Sequence, residues 1–130
     1  MLDNNLKMTV CVQVFHLALC IVWNLTGVYQ LGLGLQPIGP TASVIGAGVM
    51  ALLVSGLILA ALRRWKWLYL SLSIVAAAGA FLAIYGGFTK DPSQWPSLFW
   101  QYAGILLNFV GMVGFLLALK SFKHLSSTNN

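Results

Sequence analysis

Five side chains on the first long apolar segment carry most of its hydrogen-bonding and titratable chemistry. At about 100° per residue they fall within a wedge of roughly 80° on one side of a helix, and Gly27 continues the same side. We call these residues the polar seam: Thr9, Gln13, His16, Cys20 and Asn24. A polar stripe on a helix of membrane length must face protein or water rather than lipid. We therefore expect the other apolar segments to cover the seam.

His16 is the one titratable residue deep within this segment. It could act as a haem ligand, a metal ligand or a proton relay. A bis-histidine haem would need His16 of a second copy, and a metal site with Cys20 one turn away would still lack ligands. The alternative is a neutral histidine hydrogen-bonded to Gln13, Asn108 or a partner helix. We favour this alternative, which leaves His16 as the only candidate for cofactor binding.

The whole seam has three explanations. It forms hydrogen bonds between helices, lines a small polar cavity, or faces another subunit, and we favour hydrogen bonds within the bundle or to a partner. Asn108, on the fourth apolar segment, is the expected polar partner. The sequence contains no nucleophile–base pair, phosphate-binding loop, HExxH or CxxC motif. We expect no enzymatic activity, no resident cofactor and no metal site.

The composition predicts an all-α, multi-pass membrane protein. Of 130 residues, 59% are hydrophobic and 7% are charged, whereas soluble domains carry about 25% charged residues. Residues 8–62, 67–89 and 92–119 contain no charged side chain. Because one crossing takes about 20 helical residues, these windows hold two, one and one crossings. We predict one domain, an up-down bundle of four transmembrane helices at 8–29, 41–62, 67–88 and 97–119, followed by a frayed tail.

Residues 30–40 form a Gly/Pro-rich connection between the first two predicted helices. Glycine and proline argue against a regular helix, whereas the alternating leucines argue against a loop extended into water. We expect this connection to lie in the membrane interface or to fold back onto the bundle.

Small residues recur at helical spacing on the last three predicted helices. Such rows let two backbones approach closely in lipid, where packing replaces the hydrophobic effect. The predicted packing positions are Ala47, Ala51 and Ser55, then Ala76, Ala80, Ala83 and Gly87, then Gly104 and Gly111. By contrast, Leu57 is expected to face lipid. Four helices offer more small faces than one closed bundle needs, which suggests self-association or a partner.

The positive charges predict the orientation. The net charge is +5, and the basic residues cluster at the ends of apolar segments. Because basic residues in such places set the membrane topology, we expect no nucleic-acid partner. With the N-terminus inside, only Lys90 lies outside. The cytoplasmic set is then Lys7, Arg63, Arg64, Lys66, Lys120 and Lys123. Both termini are predicted to be cytoplasmic, in the inner membrane of a bacterial-type cell.

These features favour a small accessory, assembly or interaction subunit that acts through helix–helix contacts with another membrane protein or with itself. The alternative is an oligomeric transporter or channel-forming subunit whose polar seam lines the path. A subunit that binds haem or quinone for electron transfer is the third possibility.

Overall fold

The computed structural model consists of four long helices, and the described residues 3–127 contain no β-strand. Side chains are described for residues 3–122. The helices are α1 (Asn4–Gly32), α2 (Val44–Leu62), α3 (Lys66–Thr89) and α4 (Leu98–Ser127), and a short 3₁₀ turn (Pro92–Gln94) precedes α4. Each long helix is apolar enough over at least 18 residues to cross a membrane. The prediction of an all-helical chain with four candidate transmembrane helices is confirmed.

Each helix packs against two others. The main contacts join α1 to α2, α2 to α3, α3 to α4 and α4 back to α1. The contact between α2 and α3 is the least extensive of the four. Because this pair separates most, it is where an opening in the bundle is expected.

The core lies at one end of α2 and α3 and against the beginning of α1. It contains Leu6, Leu17, Leu53, Leu57, Ala60, Ala61, Tyr69 and Ala118. The expectation that Leu57 faces lipid is wrong, because its side chain is 0% exposed. A step of four residues advances about 400°, so the row from Ala47 drifts around the helix and leaves Ala51 and Ser55 exposed. The buried face of α2 follows Leu53 and Leu57 instead.

The connection from α1 to α2 folds back onto the helices. Gly34 follows the end of α1 with a φ of 72°, in the left-handed region that glycine adopts without strain. The backbone N–H of Ile38 donates to Gln30 Oε1 at 2.8 Å, and the Ile38 side chain is buried. At Ser43 the hydroxyl caps α2 by accepting from the N–H of Gly46 at 2.9 Å. Of the two predicted arrangements, the structure therefore has the folded-back one.

The first and last helices are longer than the predicted spans. α1 starts four residues earlier, at Asn4, and α4 continues to Ser127 rather than fraying after Leu119. Phe122 on this extension packs edge-on against Trp67, with 5.3 Å between ring centroids. The apolar windows mark the part of a helix that fits in hydrocarbon, whereas the backbone hydrogen bonds continue past it. The predicted tail was wrong for residues 120–127.

Candidate functional site

Gln13 hydrogen-bonds to α3 through both ends of its side-chain amide. Its Nε2 donates to Ser73 Oγ at 2.9 Å, and its Oε1 accepts from the Tyr69 hydroxyl at 2.6 Å. All three residues are buried, with 4% of Gln13, 1% of Tyr69 and 0% of Ser73 exposed. Both ends of the amide are therefore satisfied across the bundle. This half of the polar seam joins α1 to α3, a pair of helices that is not among the four main contacts.

Thr9 extends this network to the last helix. Its hydroxyl lies 2.9 Å from Ser121 Oγ and also donates to the backbone oxygen of Asn5 at 2.8 Å. The Thr9 and Ser121 side chains are both buried. The first half of the seam thus consists of paired hydroxyl and amide groups.

The second half of the seam lines a cavity of about 490 Å³. His16, Cys20 and Asn24 contribute to its wall from α1, together with Asn108 and Gln101 from α4. At about 1.5 Å per residue, the lining of α3 from Ala76 to Gly87 spans roughly 17 Å. A volume of this size equals that of about 16 liquid water molecules. It is also within the range of small-molecule sites. We call this space the seam cavity.

His16 sits at the deep end of the seam cavity, against a glycine of α4. A Cβ built on Gly111 would lie 2.7 Å from His16 Nε2 and 2.8 Å from Nδ1, which is too close for any side chain. The imidazole Nε2 is 3.4 Å from Cys20 Sγ, and the Asn108 side chain is its other hydrogen-bond partner. Of the expected partners of His16, the structure brings Asn108 to it, whereas Gln13 is bonded to α3.

Three amide side chains in the cavity wall each use one N–H on a backbone oxygen. Asn24 Nδ2 donates to Cys20 at 2.9 Å, and Asn108 Nδ2 donates to Gly104 at 2.8 Å. Gln101 Nε2 reaches across to the carbonyl of Gly87 on α3 at 2.8 Å. Since an amide nitrogen carries two hydrogens, each has one left without a protein partner among the described residues. Gln101 Oε1 is buried and likewise has no partner among them.

The two connections at the same end of the helices form the mouth of the seam cavity. Gly39, Pro40 and Thr41 line it from the first connection, and Lys90 and the buried Trp95 line it from the second. The Gln36 side chain donates to the backbone oxygen of Ser93, which joins the two connections. Among the residues whose side chains are described, Lys90 is the only charged one that lines the cavity. The Lys90 ammonium therefore places one positive charge at the mouth.

Asp91, next to Lys90, is engaged in its own turn. The backbone N–H of Ser93 donates to its carboxylate at 2.8 Å. This backbone hydrogen bond, with a smaller contribution from the Ser93 side chain, lowers the pKa of Asp91 below its ordinary value. The carboxylate caps the 3₁₀ turn and does not line the cavity.

The seam cavity also opens sideways along α3. Gly79, Leu82 and Ala83 line the cavity and are exposed, whereas Gly46 and Met50 line it from α2 as half-buried residues. The opening therefore lies where α2 and α3 separate. In a membrane it faces lipid.

The predicted packing positions divide into two groups. Ala47, Ala80, Gly87 and Gly111 are buried and Ala76 and Gly104 are half-buried, whereas Ala51, Ser55 and Ala83 are exposed. A Cβ on Gly87 would collide with Ile105, so this glycine sets the distance between α3 and α4. The orientation residues Arg63, Arg64 and Lys120 are exposed and Lys66 is half-buried, while the Lys123 side chain lies outside the described residues.

Sequence reasoning missed several residues of this site. Tyr69 and Ser121 were not singled out. Trp23 and Trp95 were expected only as anchors at the membrane interface, whereas Trp23 lies between two glycines that leave room for its indole, Gly39 and Gly104. Ser73 and Gln101 were placed on the small-residue faces of the third and fourth helices, but their hydrogen-bond partners were not predicted. Nothing comparable marked Tyr69 among the other tyrosines.

The part of the chain that the structure describes brings no three His, Cys, Asp or Glu side chains together as a metal site would require. Four long apolar helices with a partly polar interior indicate a multi-pass membrane protein. No protein-family model, curated protein or solved structure matches the chain.

Proposed function

We propose that this protein is an accessory or assembly subunit of the inner membrane that acts through helix–helix contacts with another membrane protein or a second copy. The observation that carries this proposal is a row of small residues on α2 that the chain's own packing does not use. Gly48, Ala51 and Ser55 are all exposed. A row of this kind on a membrane helix allows a second helix to approach closely.

The proposed topology is an up-down bundle with both termini in the cytoplasm. Contacts at both ends support it. Gln36 meets Ser93 near the seam cavity, whereas Thr9 meets Ser121 at the other end. The end that holds Thr9 also carries six of the seven basic residues, as the positive-inside rule requires of a cytoplasmic end. A reporter that works only in the cytoplasm should be active when it is fused after Asn130. Activity of a reporter that works only outside the membrane would refute this topology.

The helix–helix role is testable with a photo-crosslinking residue at Leu52. This position is 74% exposed and adjoins Ala51 in the row. Irradiation of native membranes should yield a crosslinked protein, and mass spectrometry should identify it as a partner or a second copy. The substitution Ala51→Leu should abolish the product, because a larger side chain holds the two backbones apart.

Ala78→Leu is the matched control, since Ala78 is an exposed alanine of α3 outside this row. It should leave the crosslink intact. Lipid adducts alone at position 52, or equal crosslinking in the Ala51 and Ala78 variants, would refute the proposal.

A transporter or channel subunit is the second candidate, and the seam cavity favours it. His16, Cys20 and Asn24 line the cavity, but its lining does not include Thr9 or Gln13. A continuous path would therefore require the bonds of Gln13 to open. With exposed Cys11 replaced by serine, a charged thiol reagent should reach Cys20 from both sides of the membrane if the protein conducts. Labelling from one side only, or none, would exclude a continuous path.

A further inference from the structure

The seam cavity is large, partly polar and open to lipid, and the proposed helix–helix contacts do not use it. Its wall holds Gly79, Ala80 and Ala83 on one side and the indole of Trp23 on another. Small residues give a flat surface, and an aromatic ring stacks well on a second ring. The space between them fits a planar ring better than a bulky branched group.

The polar groups of the wall favour a ligand whose oxygens accept hydrogen bonds. Asn24, Gln101 and Asn108 each keep one amide hydrogen without a protein partner among the described residues. The Lys90 ammonium adds further donors at the mouth. Gln101 Oε1 is, among the described residues, a buried acceptor without a partner, and a water or a ligand hydroxyl could donate to it. Carbonyl oxygens complement such a wall and, unlike an anion, enter the membrane without the cost of a buried charge.

The sideways opening determines the rest of the ligand. Exposed Gly79, Leu82 and Ala83 form the edge of the cavity where α2 and α3 separate. A ligand with its ring inside can extend an apolar tail through this opening into lipid. We propose that the seam cavity binds a membrane-soluble ring compound with carbonyl acceptors and an apolar tail, a chemical class to which quinones belong. The ring lies near His16 and Asn108, and the proposal concerns binding alone.

The test is isothermal titration calorimetry of the full-length protein in detergent micelles, with decylubiquinone as the probe. Dodecylbenzene is the control ligand, because it has a ring and an apolar tail but no carbonyl. We expect saturable binding of decylubiquinone and only unsaturable partition of dodecylbenzene. Absence of saturable decylubiquinone binding, or equal binding of both compounds, would overturn the proposal.

Two glycines provide a matched pair of variants. A Cβ on Gly79 or on Gly32 meets no atom within 4 Å, and both residues are exposed, so each position has room for the start of a side chain. Only Gly79 lines the cavity. Gly79→Phe should weaken decylubiquinone binding by about tenfold or more, whereas Gly32→Phe should bind like the unmodified protein. Equal affinities in the two variants would place the ligand elsewhere and overturn the proposal.

The substitution Asn108→Leu tests the polar contact separately from the space. It removes an unused amide N–H at the deep end, together with the side-chain hydrogen bond to His16, and it keeps the number of side-chain heavy atoms unchanged. The variant should lose its preference for decylubiquinone over dodecylbenzene while keeping its unliganded melting temperature within a few degrees. A folded variant with an unchanged preference would show that no carbonyl is recognised there, and the proposed orientation of the ring would be wrong.

Discussion

Replacement of Tyr69 by phenylalanine tests whether the polar seam holds the helices together. The change removes a hydroxyl that donates to Gln13 Oε1 at 2.6 Å and leaves that oxygen buried without this donor. Hydrogen bonds between membrane helices average about 0.6 kcal/mol and reach about 1.7 kcal/mol. An unsatisfied buried acceptor costs about 1–3 kcal/mol. Because Tyr69 is 1% exposed and Gln13 is 4% exposed, we expect a loss of about 1–2 kcal/mol in the free energy of unfolding.

The assay is reversible unfolding in mixed micelles as the fraction of dodecyl sulfate is raised. Tyr85→Phe is the control, since Tyr85 is 61% exposed, and it should change the free energy of unfolding by less than about 0.5 kcal/mol. In a Gln13→Leu background, Tyr69→Phe should cost much less than in the unmodified protein, because its acceptor is already gone.

Two results would refute this reasoning. Equal effects of Tyr69→Phe and Tyr85→Phe would show that the hydroxyl of Tyr69 contributes nothing in the folded protein. Strict additivity with Gln13→Leu would show that the two side chains do not interact, whatever the cost of each substitution alone.

Three further predictions concern packing, the seam and the connection after α3. Leu57→Ala should destabilise the protein by about 2–5 kcal/mol and Leu52→Ala hardly at all, because only Leu57 is enclosed by protein; equal unfolding curves would contradict this. His16→Gln should be nearly silent in melting temperature, whereas His16→Leu should cost about 0.5–2 kcal/mol; a stable but inactive His16→Gln protein would instead assign His16 a functional role. In an NMR titration the pKa of the Asp91 carboxyl should lie below the ordinary aspartate value. Its contribution to the turn should be present above the ordinary value and lost as the pH falls through the lowered pKa. An Asp91→Asn variant should lose the accompanying shift of the Ser93 amide, and an unlowered pKa would refute the hydrogen bond.

Much of the fold was predictable because lipid imposes a simple rule on composition. A crossing segment must be apolar and must satisfy its own backbone hydrogen bonds, so charge-free windows locate the four helices. The same rule is silent about where a helix ends outside the hydrocarbon, which explains the early start at Asn4 and the late end at Ser127.

The faces of the helices were harder to predict than their positions. In a soluble protein an apolar stripe on a helix marks the face that packs on the core. In a membrane helix, leucines such as Leu52 and Leu57 are equally acceptable facing lipid or facing protein. Neither hydropathy nor spacing therefore distinguished the 74% exposed leucine from the 0% exposed one. Polar residues carried more information, because lipid excludes them, and the four residues from Thr9 to Cys20 in the seam are all buried in the structure.

The cavity was not predictable from the pattern of one helix. It depends on how far α2 and α3 separate and on which way a few side chains turn, such as Gln101 towards Gly87. Those features arise from packing between segments distant in the chain. A polar cavity was one of the three explanations of the polar seam. Which seam residues line the cavity depends on the positions of the other helices, which the sequence of α1 does not contain.

The contact between His16 and Gly111 has a consequence for how this sequence can change. The imidazole occupies the space in which any side chain at position 111 would stand. The two positions therefore share one fixed volume across the interface between α1 and α4. We expect related chains to vary them as a pair, so that a residue larger than glycine at position 111 accompanies a smaller one at position 16. A larger residue at position 111 alone would displace the imidazole or push the first and last helices apart, whereas a smaller residue at position 16 alone would leave an unfilled space between them.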